Sequence, residues 1–204
     1  METNTEEKQL LERLRKIEDQ KRRKKSLEEV SAIIDIVKNL PNPIAKARLF
    51  GEYLGVIPSD ITLKDKRDII EGYITLEMPC QAAILTEHWF KDYERVIELY
   101  LTAAQKAKSM QDVKSMVNCA ATKIYKNLHD PKRAISLYLE FNYIPTAIFK
   151  AVEWGELLTA LDIAERHGDF SGARGIAYQL GDKAKVQFYE RAERLQQQVA
   201  SWCK

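Results

Sequence analysis

The chain has 204 residues, of which 45% are hydrophobic and 30% charged, and its formal net charge is +2. Six prolines and eight glycines are too few for the many turns of a β-rich fold. No apolar run exceeds four residues, and the first residues are acidic and polar, which excludes a bilayer-spanning segment and a standard secretory signal peptide unless one was removed. Cys80, Cys119 and Cys203 are scattered and odd in number, unlike a disulfide framework. We therefore expect a soluble, cytoplasmic protein without membrane insertion.

The first 25 residues form a basic arm, with nine Lys/Arg against six Asp/Glu. Residues 6–25 are predicted to form a polar helix with a thin apolar seam at Leu10, Leu14 and Ile17. Its principal cations are Arg13, Arg15, Lys16, Lys21, Arg22, Arg23, Lys24 and Lys25. This pattern is typical of a solvated or frayed helix, and equally of contact with a nucleic-acid backbone, a nuclear-import-like patch or an acidic protein. The seam is also compatible with a short coiled coil or a dimer contact, so the sequence does not determine the oligomeric state.

Residues 26–204 are predicted to form a single helical domain. Over 26–78, the capping patterns Ser26–Glu29 and Thr62–Asp65 and the pair Asn42-Pro43 each indicate a helix start, which predicts helices to about Leu40, Leu54 and Glu77. From Pro79 onward the pattern becomes regular, and it predicts helices at about 79–88, 92–108, 110–127, 131–142, 145–154, 156–167, 170–180 and 183–202. Because the breaks between them are short, neighbouring helices are expected to run antiparallel, as hairpins.

One phrase of the chain occurs twice. Asp92–Leu101 returns 38 positions later as Asp130–Leu139, with six of the ten positions identical. Recurrence at such a spacing is typical of stacked helical hairpins, since one hairpin cannot bury its apolar face alone. Four aspartates stand where an N-cap acceptor is needed, namely Asp92, Asp130, Asp169 and Asp182.

Small and aromatic residues are combined in several pieces of the chain, namely Ala134–Tyr138, Ala160–Asp169, Ala177–Asp182 and Ala184–Ala192. Through these pieces the chain resembles, from about 79 to 195, the tetratricopeptide-like and the clathrin- or coatomer-type α-solenoids. The strict 34-residue pattern is not followed, and its tryptophan and terminal proline are missing. The resemblance implies an all-α protein, a right-handed superhelix of antiparallel helix hairpins preceded by the basic N-terminal helix.

The histidines are the most plausible catalytic or metal-binding residues by type. His88, His129 and His167 each lie near the end of a predicted helix and follow the repeat, which favours hairpin-turn positions over convergent ligands. Phosphate-binding loops, zinc-binding patterns and nucleophile motifs are absent from the sequence. We therefore predict no catalytic residue, no metal site and no cofactor, and a protein that is not an enzyme.

The repeated phrase also contains the candidate partner-binding residues. Ile97, Leu101 and their equivalents fall on a packing face, which leaves Arg95, Tyr100, Arg133 and Tyr138 as side chains that could contact a partner. The function that fits best is a non-catalytic helical-repeat scaffold that binds a protein or peptide. The alternatives are a nucleic-acid-associated protein that uses residues 13–25, and a small regulator or enzyme whose site the sequence does not reveal.

Overall fold

The structure, a computed structural model, describes residues 27–53 and 61–202. These residues form eleven α-helices and no strand, which confirms the predicted all-α class. The helices are α1 Leu27–Asn39, α2 Pro43–Tyr53, α3 Leu63–Thr75, α4 Pro79–Phe90, α5 Tyr93–Lys106, α6 Met110–Leu128, α7 Pro131–Glu140, α8 Ile144–Glu153, α9 Leu157–Arg166, α10 Phe170–Gln179 and α11 Lys183–Trp202. None of the helices in this part of the chain is long and apolar enough to cross a membrane. The basic arm lies outside the described residues.

All four predicted aspartate caps are confirmed. The side chains of Asp92, Asp130, Asp169 and Asp182 each accept a hydrogen bond from the backbone N–H three residues later, at 3.1, 2.9, 2.9 and 3.0 Å. Each bond satisfies a backbone donor that has no partner within the first turn of its helix. These caps fix the starts of α5, α7, α10 and α11.

The predicted capping pattern at Thr62 is confirmed as well. Thr62 Oγ1 accepts from the backbone N–H of Asp65 at 3.2 Å and donates to its carboxylate at 2.5 Å. The same reciprocal arrangement joins Ser109 to Asp112 at the start of α6, where sequence analysis had identified only a break. A capping pattern with aspartate in place of the usual glutamate is therefore used twice.

The chain divides into two compact units, one up to Leu99 and one from Tyr100, so that the division falls within α5. In the first unit α1, α2, α3 and α4 pack in sequence, each against the next. Gly72 of α3 permits α2 to approach closely, because a Cβ there would lie 2.1 Å from the carbonyl oxygen of Pro43 and 2.7 Å from Ala47 Cβ. The prediction of one continuous domain over 26–204 stays a prediction.

A buried ion pair also joins α2 to α3. Lys46 is 3% exposed, and its Nζ lies 2.6 Å from Asp65 Oδ1 and 2.8 Å from Asp68 Oδ2. Burial alone would raise the pKa of the Asp65 carboxyl, but hydrogen bonds from Lys46 and Thr62 and the charge of Lys46 outweigh it and hold that pKa below its usual value. By the same balance, the two aspartates raise the pKa of Lys46 against the effect of burial.

In the second unit α6 to α11 again pack each against the next. From α7 onward the helices start at a constant interval of 13 residues, at Pro131, Ile144, Leu157, Phe170 and Lys183. The turn before each start has its left-handed residue at the same interval, at His129 (φ 54°), Asn142 (58°), Gly155 (80°), Gly168 (69°) and Gly181 (73°). The 38-residue recurrence in the sequence thus gives way to a shorter unit of one helix and one turn.

Two buried positions recur in α7, α8, α9 and α10. The fourth residue is Ala134, Ala147, Ala160 and Ala173 in α7 to α10, each fully buried. Four residues later stand Tyr138, Ala151, Ala164 and Ala177, also fully buried. Residues i and i+4 share a face of a helix, and alanine lets neighbouring helix axes approach closely. This explains the small residues on which the solenoid resemblance rests.

Candidate binding groove

A groove of about 420 Å³ opens between α7 and α9, beside the start of α8. Its floor is apolar and consists of Ile135, Leu139, Ile144 and Ile163, of which Ile135 and Ile163 are buried. Its rim is polar and consists of Lys132, Ser136, Asn142, Thr159, Asp162, Arg166 and His167. Ligand sites combine apolar surface with polar groups that fix orientation, and this groove has both, with more polar than apolar residues in its lining.

The rim carries more positive than negative charge. Arg166 and Asp162 neutralise each other through two contacts, Nε to Oδ1 and Nη2 to Oδ2, both 3.0 Å. Lys132 and His167 are exposed, and within the described residues neither has an acidic group within 4 Å. The positive charge that stays uncompensated at the rim is therefore that of Lys132, with the His167 imidazole as a further donor.

The face that contains the groove continues from α9 to α11. Glu165 of α9 accepts from Lys185 Nζ at 3.4 Å and from the hydroxyl of Tyr189, both on α11. The Tyr189 hydrogen bond is the main reason that the pKa of Glu165 lies below its usual value. Burial, with Glu165 next, raises the pKa of Tyr189 to about 12. These contacts fix α11 against α9.

The predicted partner-binding residues lie in two different environments. Arg95 is exposed and pairs with Glu98 at 3.0 Å, and Arg133 is exposed beside the groove without lining it. Tyr100 is only 8% exposed and Tyr138 is fully buried. The two arginines thus keep an exposed side chain, whereas the two tyrosines belong to the core.

Tyr138 has a structural environment of its own. Its hydroxyl donates to Asn118 Oδ1 of α6 at 2.6 Å, and its ring lies 6.4 Å from that of Trp154, which in turn stacks on Tyr125 at 4.3 Å. Burial, with a smaller contribution from the charge of Glu153, raises the pKa of Tyr138 to about 12. Tyr138 therefore anchors α7 to α6 and α8.

The histidines lie where the repeat predicts, at helix ends. His88 is in the last turn of α4, while His129 and His167 are the C-cap residues of α6 and α9. Within residues 27–53 and 61–202 no three His, Cys, Asp or Glu side chains come together as a metal site. His167 alone joins the groove.

The repeated phrase supplies one wall of the groove, through residues that sequence analysis did not select. Lys132, Ile135, Ser136 and Leu139 all belong to Asp130–Leu139, and they stand at positions i, i+3, i+4 and i+7 along α7, which share one face of a helix. That spacing was the available signal, but it also describes a packing face.

No protein-family model, curated protein or solved structure matches the chain.

Proposed function

We propose that this protein is a non-catalytic helical scaffold that binds a peptide segment of a partner protein in the groove between α7 and α9. In this proposal the helices form antiparallel hairpins stacked into a right-handed superhelix, and the face of α7, α9 and α11 is the binding surface. Such surfaces bind through several helices at once. The protein's location in the cytoplasm is part of the same proposal.

The observation that supports this function is the combination of floor and rim. Ile135 and Ile163 provide an apolar base for a partner side chain, while Ser136, Asn142 and Thr159 offer hydrogen-bonding groups to a peptide backbone. The groove is open and most of its lining comes from α7 and α9, with Asn142 of the turn after α7 and Ile144 of α8 at one end, so regular helices hold most of its side chains before a ligand arrives.

The groove can be tested by blocking it with Ser136→Arg. Ser136 is exposed, so the larger side chain fills the groove without disturbing the core. Twelve-residue peptides selected from a random display library on the full-length protein should lose affinity by about tenfold or more, which is about 1.4 kcal/mol. Fluorescence anisotropy measures the change. The matched control is Ser171→Arg, an exposed serine of α10 outside the groove. Selected peptides that bind both variants as tightly as the unmodified protein contradict the proposal.

A second candidate function, nucleic-acid binding, rests on the basic arm. Its nine cations in 25 residues would contact phosphates, and no aromatic residue lies within 6–25 to stack on bases. Removal of residues 1–25 should then abolish binding of a fluorescein-labelled RNA or DNA duplex, and binding to the intact chain should weaken steeply with added salt. If the chain without residues 1–25 binds the duplex as tightly as the intact chain does, the arm is not the binding element.

A further inference from the structure

The groove has an apolar neighbour on the same face. A shift of 26 residues, two helix units, relates α7 to α9 and α9 to α11. Under this shift Lys132 corresponds to Leu158 and Asp162 corresponds to Phe188. At these two positions, where the groove has charged side chains, the next interval along the face therefore has apolar ones, beside the charged Glu165 and Lys185.

Leu158 and Phe188 are among the most exposed large apolar residues of the described chain, at 73% and 62%. They lie on the two helices joined through Glu165: Phe188 is next to Tyr189, which makes that contact, and Leu158 lies about two turns before Glu165 on α9. Exposed apolar side chains on adjacent helices next to a groove indicate a surface that a partner covers.

We propose, resting on the function proposed above, that the groove takes an acidic segment whose next apolar residue packs on Leu158 and Phe188. The carboxylates face Lys132 and His167, because these groups have no acidic neighbour among the described residues. The aliphatic or aromatic side chain covers the second, apolar interval.

The spacing between these two features of the segment follows from helix packing. The helices α7, α9 and α11 are alternate members of the series, so the spacing of directly packed helix axes, about 8–10 Å, is a lower bound on the step along the face. Because an extended peptide advances about 3.3–3.6 Å per residue, the acidic and apolar residues of the segment are separated by at least about three residues. A basic segment would place like charges beside Lys132, which disfavours it.

Three fluorescein-labelled ten-residue peptides test the proposal on the full-length protein. The first has two aspartates three residues before a Leu-Phe pair, the second replaces the aspartates by asparagines, and the third replaces Leu-Phe by Ser-Ser. The first should bind about tenfold more tightly than either of the others, a difference of about 1.4 kcal/mol. Its advantage over the asparagine peptide should shrink as salt is added.

Variants assign each part of the effect to its residue. Lys132→Glu should weaken the aspartate peptide about tenfold and leave the asparagine peptide unchanged. Lys114→Glu, which reverses the charge of an exposed lysine of α6 outside the groove lining, is the matched control. Leu158→Ser should weaken both Leu-Phe peptides, whereas Phe149→Ser, which removes a 65% exposed side chain of α8, should not.

Equal affinity of the aspartate and asparagine peptides, or an equal loss in Lys132→Glu and Lys114→Glu, overturns the proposal because it removes the acidic specificity. If library-selected peptides still lose affinity in Ser136→Arg but carry no acidic residue, this inference fails while the binding function stands. If no peptide depends on Ser136, the binding function itself fails.

Discussion

Replacing Lys46 by methionine should lower the free energy of unfolding by about 3–5 kcal/mol. The variant keeps a side chain of similar length but leaves Asp65, itself 6% exposed, buried without its counter-charge. Loss of one partner of a buried pair is more costly than the pair is worth, because the remaining charge is neither solvated nor paired. Urea denaturation followed by circular dichroism measures the effect.

The pH dependence of Lys46→Met identifies the cause. In the unmodified protein the pKa of Asp65 lies below its ordinary value of 3.8, so its contribution to stability is present above that pH and is lost as the pH falls through the folded-state pKa. In the variant, burial is opposed only by the Thr62 hydrogen bond and the charge of Lys38 and favours the protonated acid, so the deficit should shrink as the pH falls towards and below about 4. Arg194→Met, which removes an exposed pair with Glu190, should cost less than about 1 kcal/mol at any pH. A deficit independent of pH would mean that lost packing, not the stranded carboxylate, is responsible.

The second large effect is expected from Gly72→Ala, with a loss of about 3 kcal/mol. The added methyl group meets the backbone oxygen of Pro43 at 2.1 Å, and backbone cannot rotate away as a side chain can. The helices α2 and α3 must therefore separate, which loosens the Lys46–Asp65 contact as well.

Gly175→Ala is the matched control, since this glycine lies inside α10 with nothing within 4 Å of the added Cβ. Alanine is the better helix former, so this variant should gain about 0.5–1 kcal/mol. The same urea titration measures both proteins. Equal stability of Gly72→Ala and the unmodified chain would show that the two helices tolerate a wider spacing.

The helix boundaries were largely predictable because local chemistry determines them. An aspartate that accepts the N–H three residues later, or a proline in the first turn, acts within a few residues, so sequence alone placed the starts of α5, α7, α10 and α11. The left-handed turn position was less visible, because it is glycine at 155, 168 and 181 but His129 and Asn142 earlier.

The groove could not be predicted in the same way, because its walls come from helices two apart in the chain. Lys132 and Arg133 are adjacent in sequence and both exposed, yet only Lys132 lines the groove. Successive residues of a helix point about 100° apart, so the choice depends on where α9 lies. Likewise Tyr138 looked available for a partner, whereas its contacts with Asn118 and Trp154 place it in the core. The polar helix expected in the basic arm stays a prediction.

The 13-residue interval between helix starts bears on how such a chain can change its length during evolution. Residues 144–169 run from the first residue of α8 to Asp169, the N-cap of α10. A duplicate inserted after Asp169 would place Ile144 directly behind an N-cap, so both new helices would keep their turns and buried alanines. Insertions of other lengths would displace the left-handed turn residue from the helix end. Duplication in whole units is thus the change that this architecture accommodates at the least cost in stability.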